Sequence, residues 1–95
     1  MSNLHYKRIL IKLSGEVFAG KNKFGIDYSI VLSLANQIKE IHQKKVEIGI
    51  VIGAGNIFRG ISSKDKGVDR VSGDYIGMMA TIMNSVALQN QLEKL

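Results

Sequence analysis

The sequence has no cysteine, no proline and no tryptophan, and only three tyrosines and three phenylalanines among its 95 residues. Without cysteine there is no disulfide framework, no thiolate zinc site and no thiol nucleophile, so any metal would have to be held by oxygen ligands. No apolar run approaches the roughly 18 to 20 residues needed to cross a bilayer, and no long apolar segment follows the first basic residues after Ser2-Asn3. Membrane spanning and secretion are both disfavoured, and the expected compartment is a reducing cytoplasm. What is present is a globular composition, 45% apolar and 22% charged, with ten glycines. Thirteen Lys and Arg against eight Asp and Glu give a formal charge of +5, which points to polyanions as partners, either nucleic acid or phosphorylated small molecules. The charges are spread along the chain, which suits plain solubility equally well.

Arg8-Ile-Leu-Ile-Lys-Leu13, bounded by Ser14-Gly15, reads as a strand covered on both faces. Gly20 to Gly25 is polar and glycine-bearing, hence a loop or hairpin, after which Asp27 is placed to cap a helix. Ile30, Val31, Leu34, Ile38 and Ile41 recur at helical spacing, and Lys44-Lys45 suit the C-terminal end by charge. Val46 to Ile52 is rich in β-branched residues and stops at Gly53-Ala54-Gly55, which marks a second central strand. Strand, helix, strand at this spacing is a βαβ unit, whose right-handed crossover makes the strands parallel. Asn56 to Ser72 reads as a surface excursion. From Asp74 onward, Ile76, Met79, Ala80, Met83, Ala87 and Leu88 predict a long helix running to the end without a C-terminal stop signal. A helix ending in mid-pattern after only two strands leads us to expect residues 1–95 to be the first part of a larger α/β protein.

Parallel strands end on one edge, and open α/β sheets bind ligands there. Two glycine-containing turns, Leu13-Ser14-Gly15 and Gly53-Ala54-Gly55, fall on that edge. Glycine lets successive backbone N–H groups approach phosphate oxygens closely. Lys12, just before the first turn, is either a point charge that neutralises a transferring phosphoryl group or a side chain that reaches past the strand end to water. Arg59 with Gly60 stands where a guanidinium fork could clamp phosphate, or is an exposed turn residue. Asp74, beside Gly73, is a helix N-cap or a ribose-hydroxyl acceptor. Met78, Met79 and Met83 read as packing groups, and His5 and His42 have no metal-spaced companions. Gly15 to Asn22 imitates a P-loop until Asn22 replaces the hydroxyl residue expected on magnesium, and is rejected; Gly53 to Phe58 imitates a dinucleotide fingerprint until Phe58 replaces its third glycine, which leaves a nicotinamide enzyme as a minor alternative.

Four stretches in order carry a family resemblance: Lys7-Arg-Ile-Leu-Ile-Lys-Leu-Ser-Gly-Glu16, Phe24-Gly-Ile-Asp27, Val51-Ile-Gly-Ala-Gly-Asn-Ile-Phe-Arg-Gly60 and Gly73-Asp-Tyr-Ile-Gly-Met-Met-Ala-Thr81. Together they resemble the N-terminal part of the bacterial-type UMP kinases, in the amino acid kinase superfamily. The Lys-Leu-Ser-Gly motif marks the superfamily, and the last two stretches point to its nucleotide branch. The resemblance implies a three-layer α/β/α sandwich with a mainly parallel central sheet, of which residues 1–95 form the N-terminal part of one domain without its C-terminal nucleotide-binding lobe. It implies transfer of the ATP γ-phosphate to UMP with magnesium, giving UDP and ADP.

By position, Lys12, Leu13, Ser14, Gly15, Gly55 and Arg59 would hold ATP phosphates, with Lys12 the catalytic charge. Ala54 and Asp74 would contact UMP. Gly20, Lys21, Asn22, Lys23, Phe24 and Gly25 match the region associated with GTP activation, in a family that forms homohexamers and is restrained by UTP. One departure is Ala54, where the family usually places glycine; alanine costs little there unless φ is positive. Three competing readings remain: another small-molecule kinase of the amino acid kinase superfamily; a basic nucleic-acid module, which few aromatics and the lack of a single-strand-binding motif disfavour; and an oligomerisation fragment built on the Met-rich terminal helix.

Overall fold

Six-residue strands β1 (Arg8–Leu13) and β2 (Glu47–Ile52) pair in parallel in the computed structural model, which describes residues 5–57 and 67–95. Their register sets Ile9 beside Ile48, Ile11 beside Ile50 and Leu13 beside Ile52, so the inward residues of both strands share one face and the carboxyl ends finish level. A slip of one strand by one residue would turn its three inward residues outward, which is why burial of that face specifies the register.

Five helical residues, α1 (Gly15–Ala19), follow β1 directly. The crossover helix α2 (Tyr28–His42) is capped by Asp27, whose carboxylate accepts from Ser29 N at 3.0 Å and Ser29 Oγ at 2.6 Å. Helix α3 (Arg70–Lys94) is capped by Asp69, which accepts from Ser72 N at 2.7 Å. Phe18 of α1, Val31, Ala35 and Ile38 of α2 and Leu88 of α3 form one buried cluster, packed against Leu13, Ile48, Ile50 and Ile52 of the sheet. The helices therefore cover a single face, and these residues comprise two layers, a parallel sheet and its helices.

Two expectations are corrected, and a third is met on one face. Among the described residues helices cover one face of the strands: exposure alternates along each, and Leu10 and Val51 are 69% and 49% exposed on the other face. Helix α3 starts four residues before Asp74, because Asp69 supplies the cap that Asp74 was expected to provide, and Gly73 is taken into the helix and buried. The stripe of α3 facing the core is Gly73, Ala80, Asn84 and Leu88, so Met78, Met79 and Met83 are more than half exposed instead of filling gaps. Small residues on that stripe let the helix press close, and the bulky thioethers fall on its other side.

Candidate active site

At the carboxyl ends the ladder runs one residue further than the strands, since Gly53 N donates to Leu13 O at 2.9 Å. Beyond it the chain bends at both tips, into α1 after Ser14 and into a turn at Gly53–Ile57 closed by Ile57 N donating to Ala54 O at 2.9 Å. The bends touch. A Cβ on Gly15 would overlap Gly55 N and lie 2.6 Å from Ala54 C, and one on Gly53 would lie 3.0 Å from Gly15 N. Gly15 and Gly53 thus serve first to let the turns meet, where sequence reasoning assigned their missing side chains to an approaching phosphate.

Beside this contact is a hollow of about 400 Å³, lined by Lys12, Leu13, Ser14 and Gly53 among others. Lys12 stands opposite Val51 on the open face of the sheet and is exposed, so its charge is not buried in a strand as the apolar run implied. Coverage of only one sheet face is the reason. Ser14 is extended (φ −69°, ψ 151°) and its hydroxyl makes no capping bond to α1. Lys45 is the non-glycine residue with positive φ among those described, so Ala54 carries no left-handed strain and its methyl is tolerated.

Sequence reasoning assigned no role to Glu16. A Cβ on Gly55 would collide with Glu16 Oε1, so this carboxylate lies against the second turn. An anion arriving at Gly55 must displace it or bind beside it. Glu16 also lines, with Ala19, Gly20, Asn22 and Lys23, a second hollow of about 510 Å³ along the Gly20–Gly25 segment. That segment is non-helical, as expected, with Gly20 at φ 61° and Gly25 at φ 89°, while Lys21 and Phe24 are exposed.

Asn56 and Asn84 were also missed. Both are buried, and their amides pair reciprocally at 2.8 and 3.0 Å. An amide at the i+4 step between Ala80 and Leu88, on a stripe otherwise free of polar groups, was the available signal. Asp74 is exposed on α3, within the helix, and does not line the hollow beside Lys12. Arg59 lies outside the described residues. Among the described residues no group of three or more His, Asp or Glu is placed to hold a metal ion. No described helix is long and apolar enough to cross a membrane.

Among the described residues, the carboxyls with perturbed titration are structural caps. Asp27 is held below the usual carboxylate range by the Ser29 hydroxyl and backbone, and Asp69 by the Ser72 backbone and hydroxyl.

The sequence is 59% identical over 87 residues to a uridylate kinase of Bacteroides thetaiotaomicron, an overlap that takes in 92% of this chain and 37% of that protein. The fold superimposes with a TM-score of 0.85 on the UMP kinase of Bacillus anthracis, at 43% identity over 94% of this chain and 36% of the other. The UMP kinase of Ureaplasma parvum gives a TM-score of 0.82 at 41% identity, over 96% of this chain and 38% of the other. The chain thus spans little more than a third of the length of these relatives. Since the amino acid kinase family profile matches residues 7–95, with the parallel βαβ unit and paired turns just described inside that match, the chain belongs to the amino acid kinase family.

Proposed function

We propose that this chain supplies the phosphate-binding edge of a UMP kinase, which transfers the γ-phosphoryl group of ATP to a phosphate oxygen of UMP and releases UDP and ADP. The observation that carries this reading is the convergence at one sheet edge. Parallel strands end side by side, their turns are in contact, and Lys12 and Gly53 line one hollow. No side chain here acts as a nucleophile. The work is alignment and charge: Lys12 offsets the negative charge spread over the transferring group, and fixed backbone donors orient it.

In this reading Lys12, Leu13, Ser14, Gly15, Gly55 and Arg59 address ATP phosphates, and Ala54 and Asp74 address UMP. Magnesium enters with the nucleotide, and no step is assigned to it through these residues. The 95 residues form the N-terminal part of one domain, whose nucleotide lobe lies outside this sequence and whose second helical layer would cover Leu10 and Val51. The Gly20–Gly25 segment is the GTP-responsive region, UTP restrains the enzyme, the assembly is a homohexamer, and the setting is cytoplasmic pyrimidine nucleotide supply.

The test is a chimera in which this chain replaces the matching stretch of the Bacteroides thetaiotaomicron uridylate kinase. It should form UDP from UMP and ATP, and Lys12→Ala should lower turnover roughly 100-fold, the usual effect of removing one fixed charge or donor from a phosphoryl-transfer site. Near-normal turnover of Lys12→Ala would remove Lys12 from the mechanism, and an inactive but folded chimera would overturn the kinase reading.

A further inference from the structure

Asn56 and Asn84 are 1% and 0% exposed, and both of their amide N–H groups are committed. Asn56 Nδ2 donates to Asn84 Oδ1 at 3.0 Å and to Gly25 O at 2.9 Å; Asn84 Nδ2 donates to Asn56 Oδ1 at 2.8 Å and to Gly53 O at 2.9 Å. Asn56 O also accepts from Gly25 N at 2.9 Å, so Gly25 is held through both backbone polar groups. An apolar pair would fill this space without desolvating two amides, but it would leave the Gly53 and Gly25 carbonyls unpaired. The amides therefore contribute geometry, tying α3, the bend after β2 and the Gly25 segment together.

Gly53 is the point at which this geometry acts. Its N–H is bonded to Leu13 O and its carbonyl to Asn84, so the residue is held at both ends. Among the described residues no peptide bond is cis. In a planar trans peptide the C=O and the following N–H point in opposite directions. Drawing Gly53 O toward Asn84 therefore aims the Ala54 N–H away from α3.

We propose that Asn84, braced by Asn56, is a positioning residue for nucleotide binding: it fixes the Gly53–Ala54 peptide so that the Ala54 N–H is presented to the substrate phosphate, without itself touching substrate. This rests on the UMP kinase reading of the turn. Asn84→Asp preserves shape but removes both donated hydrogen bonds, which frees the peptide to rotate. Leu88→Ala, one turn further along the same buried stripe, weakens packing and leaves the peptide bonded.

The experiment uses the same chimera, assayed well below every variant's melting temperature. The KM for UMP should rise at least 10-fold in Asn84→Asp and Asn84→Ala and stay within twofold in Leu88→Ala. Equal KM values in folded Asn84 and Leu88 variants would overturn the proposal. A second measurement covers variants that do not fold. In the unaltered chimera, NMR should find the Asn84 side-chain amide protons protected from exchange, close to Gly53, and shifted when UMP is added. Solvent-like exchange of those protons would overturn it. An unaltered chimera that is folded but inactive would instead remove the kinase reading, and with it the nucleotide-positioning role that rests on it.

Discussion

Gly15 and Gly55, forty residues apart in the chain, meet so closely that a methyl group on Gly15 would overlap the backbone nitrogen of Gly55. This contact joins the tips of the two strands, and it makes Gly15 a packing requirement before any ligand is considered. Gly15→Ala should destabilise the fold by about 3 kcal/mol, the upper part of the overpacking range, because backbone and not a yielding side chain stands in the way. Gly77→Ala is the matched control: nothing lies within 4 Å of the added carbon, so helix propensity should stabilise the protein by roughly 1 kcal/mol. Urea titrations of the two variants should move in opposite directions.

Lys12 is exposed on the uncovered face of the sheet, so its charge is not part of the packing. Lys12→Ala should alter stability by no more than about 0.5 kcal/mol, as surface substitutions generally do, while turnover in the chimera collapses. A large loss of stability would mean that the lysine has a structural duty the fold does not reveal.

Both helix-capping carboxylates, Asp27 and Asp69, have pKa values lowered in the folded chain by bonds from Ser29 and Ser72. A carboxylate with a depressed native pKa binds protons more readily when unfolded, so its contribution is complete above the unfolded value of 3.8 and is lost as pH falls through the lower native value. Melting temperature should therefore be insensitive to these groups at neutral pH and should fall on acidification below about pH 4. In a double variant with Asp27→Asn and Asp69→Asn, which keeps capping oxygens but cannot ionise, that acid-limb dependence should flatten; an unchanged slope would assign acid sensitivity to other groups.

Helix α2 ends without glycine, and Lys45 takes the left-handed conformation at φ 64° that glycine adopts without strain. Lys45→Gly should stabilise the chain by about 0.5 to 1 kcal/mol and raise its melting temperature by several degrees. A fall in melting temperature would show that the lost chain entropy outweighs the relieved strain.

The strands and α2 were legible because their signals are local. Six-residue apolar, β-branched runs closed by glycine turns and a helical repeat across fifteen residues need no knowledge of what packs against them. The start of α3 was misread because Gly73-Asp74 looks like a break followed by a cap, while Asp69 sits in a mixed-charge run that looks like loop; the hydrogen bond to Ser72 N decides the matter. Helix α1, five residues from Gly15 to Ala19 and followed by Gly20, is shorter than the repeat by which helices are recognised. The two turns and Lys12 were identified as neighbours from topology alone, because parallel strands must end on the same edge. Glu16 and the asparagine pair were not, since nothing near either asparagine in sequence announces a partner twenty-eight residues away.

Element type, element order, the parallel sense of the strands and the edge that carries the glycine turns all followed from the sequence, because side-chain period and crossover handedness are properties of short stretches of chain. Packing alone decided that Gly15 touches the second turn, that among the described residues Lys12 is exposed, and that Asn56 and Asn84 bind the carbonyls of Gly25 and Gly53. Those outcomes depend on how closely distant segments approach in three dimensions, where a methyl group or an unpaired carbonyl changes the energy, and a linear pattern carries no measure of that distance.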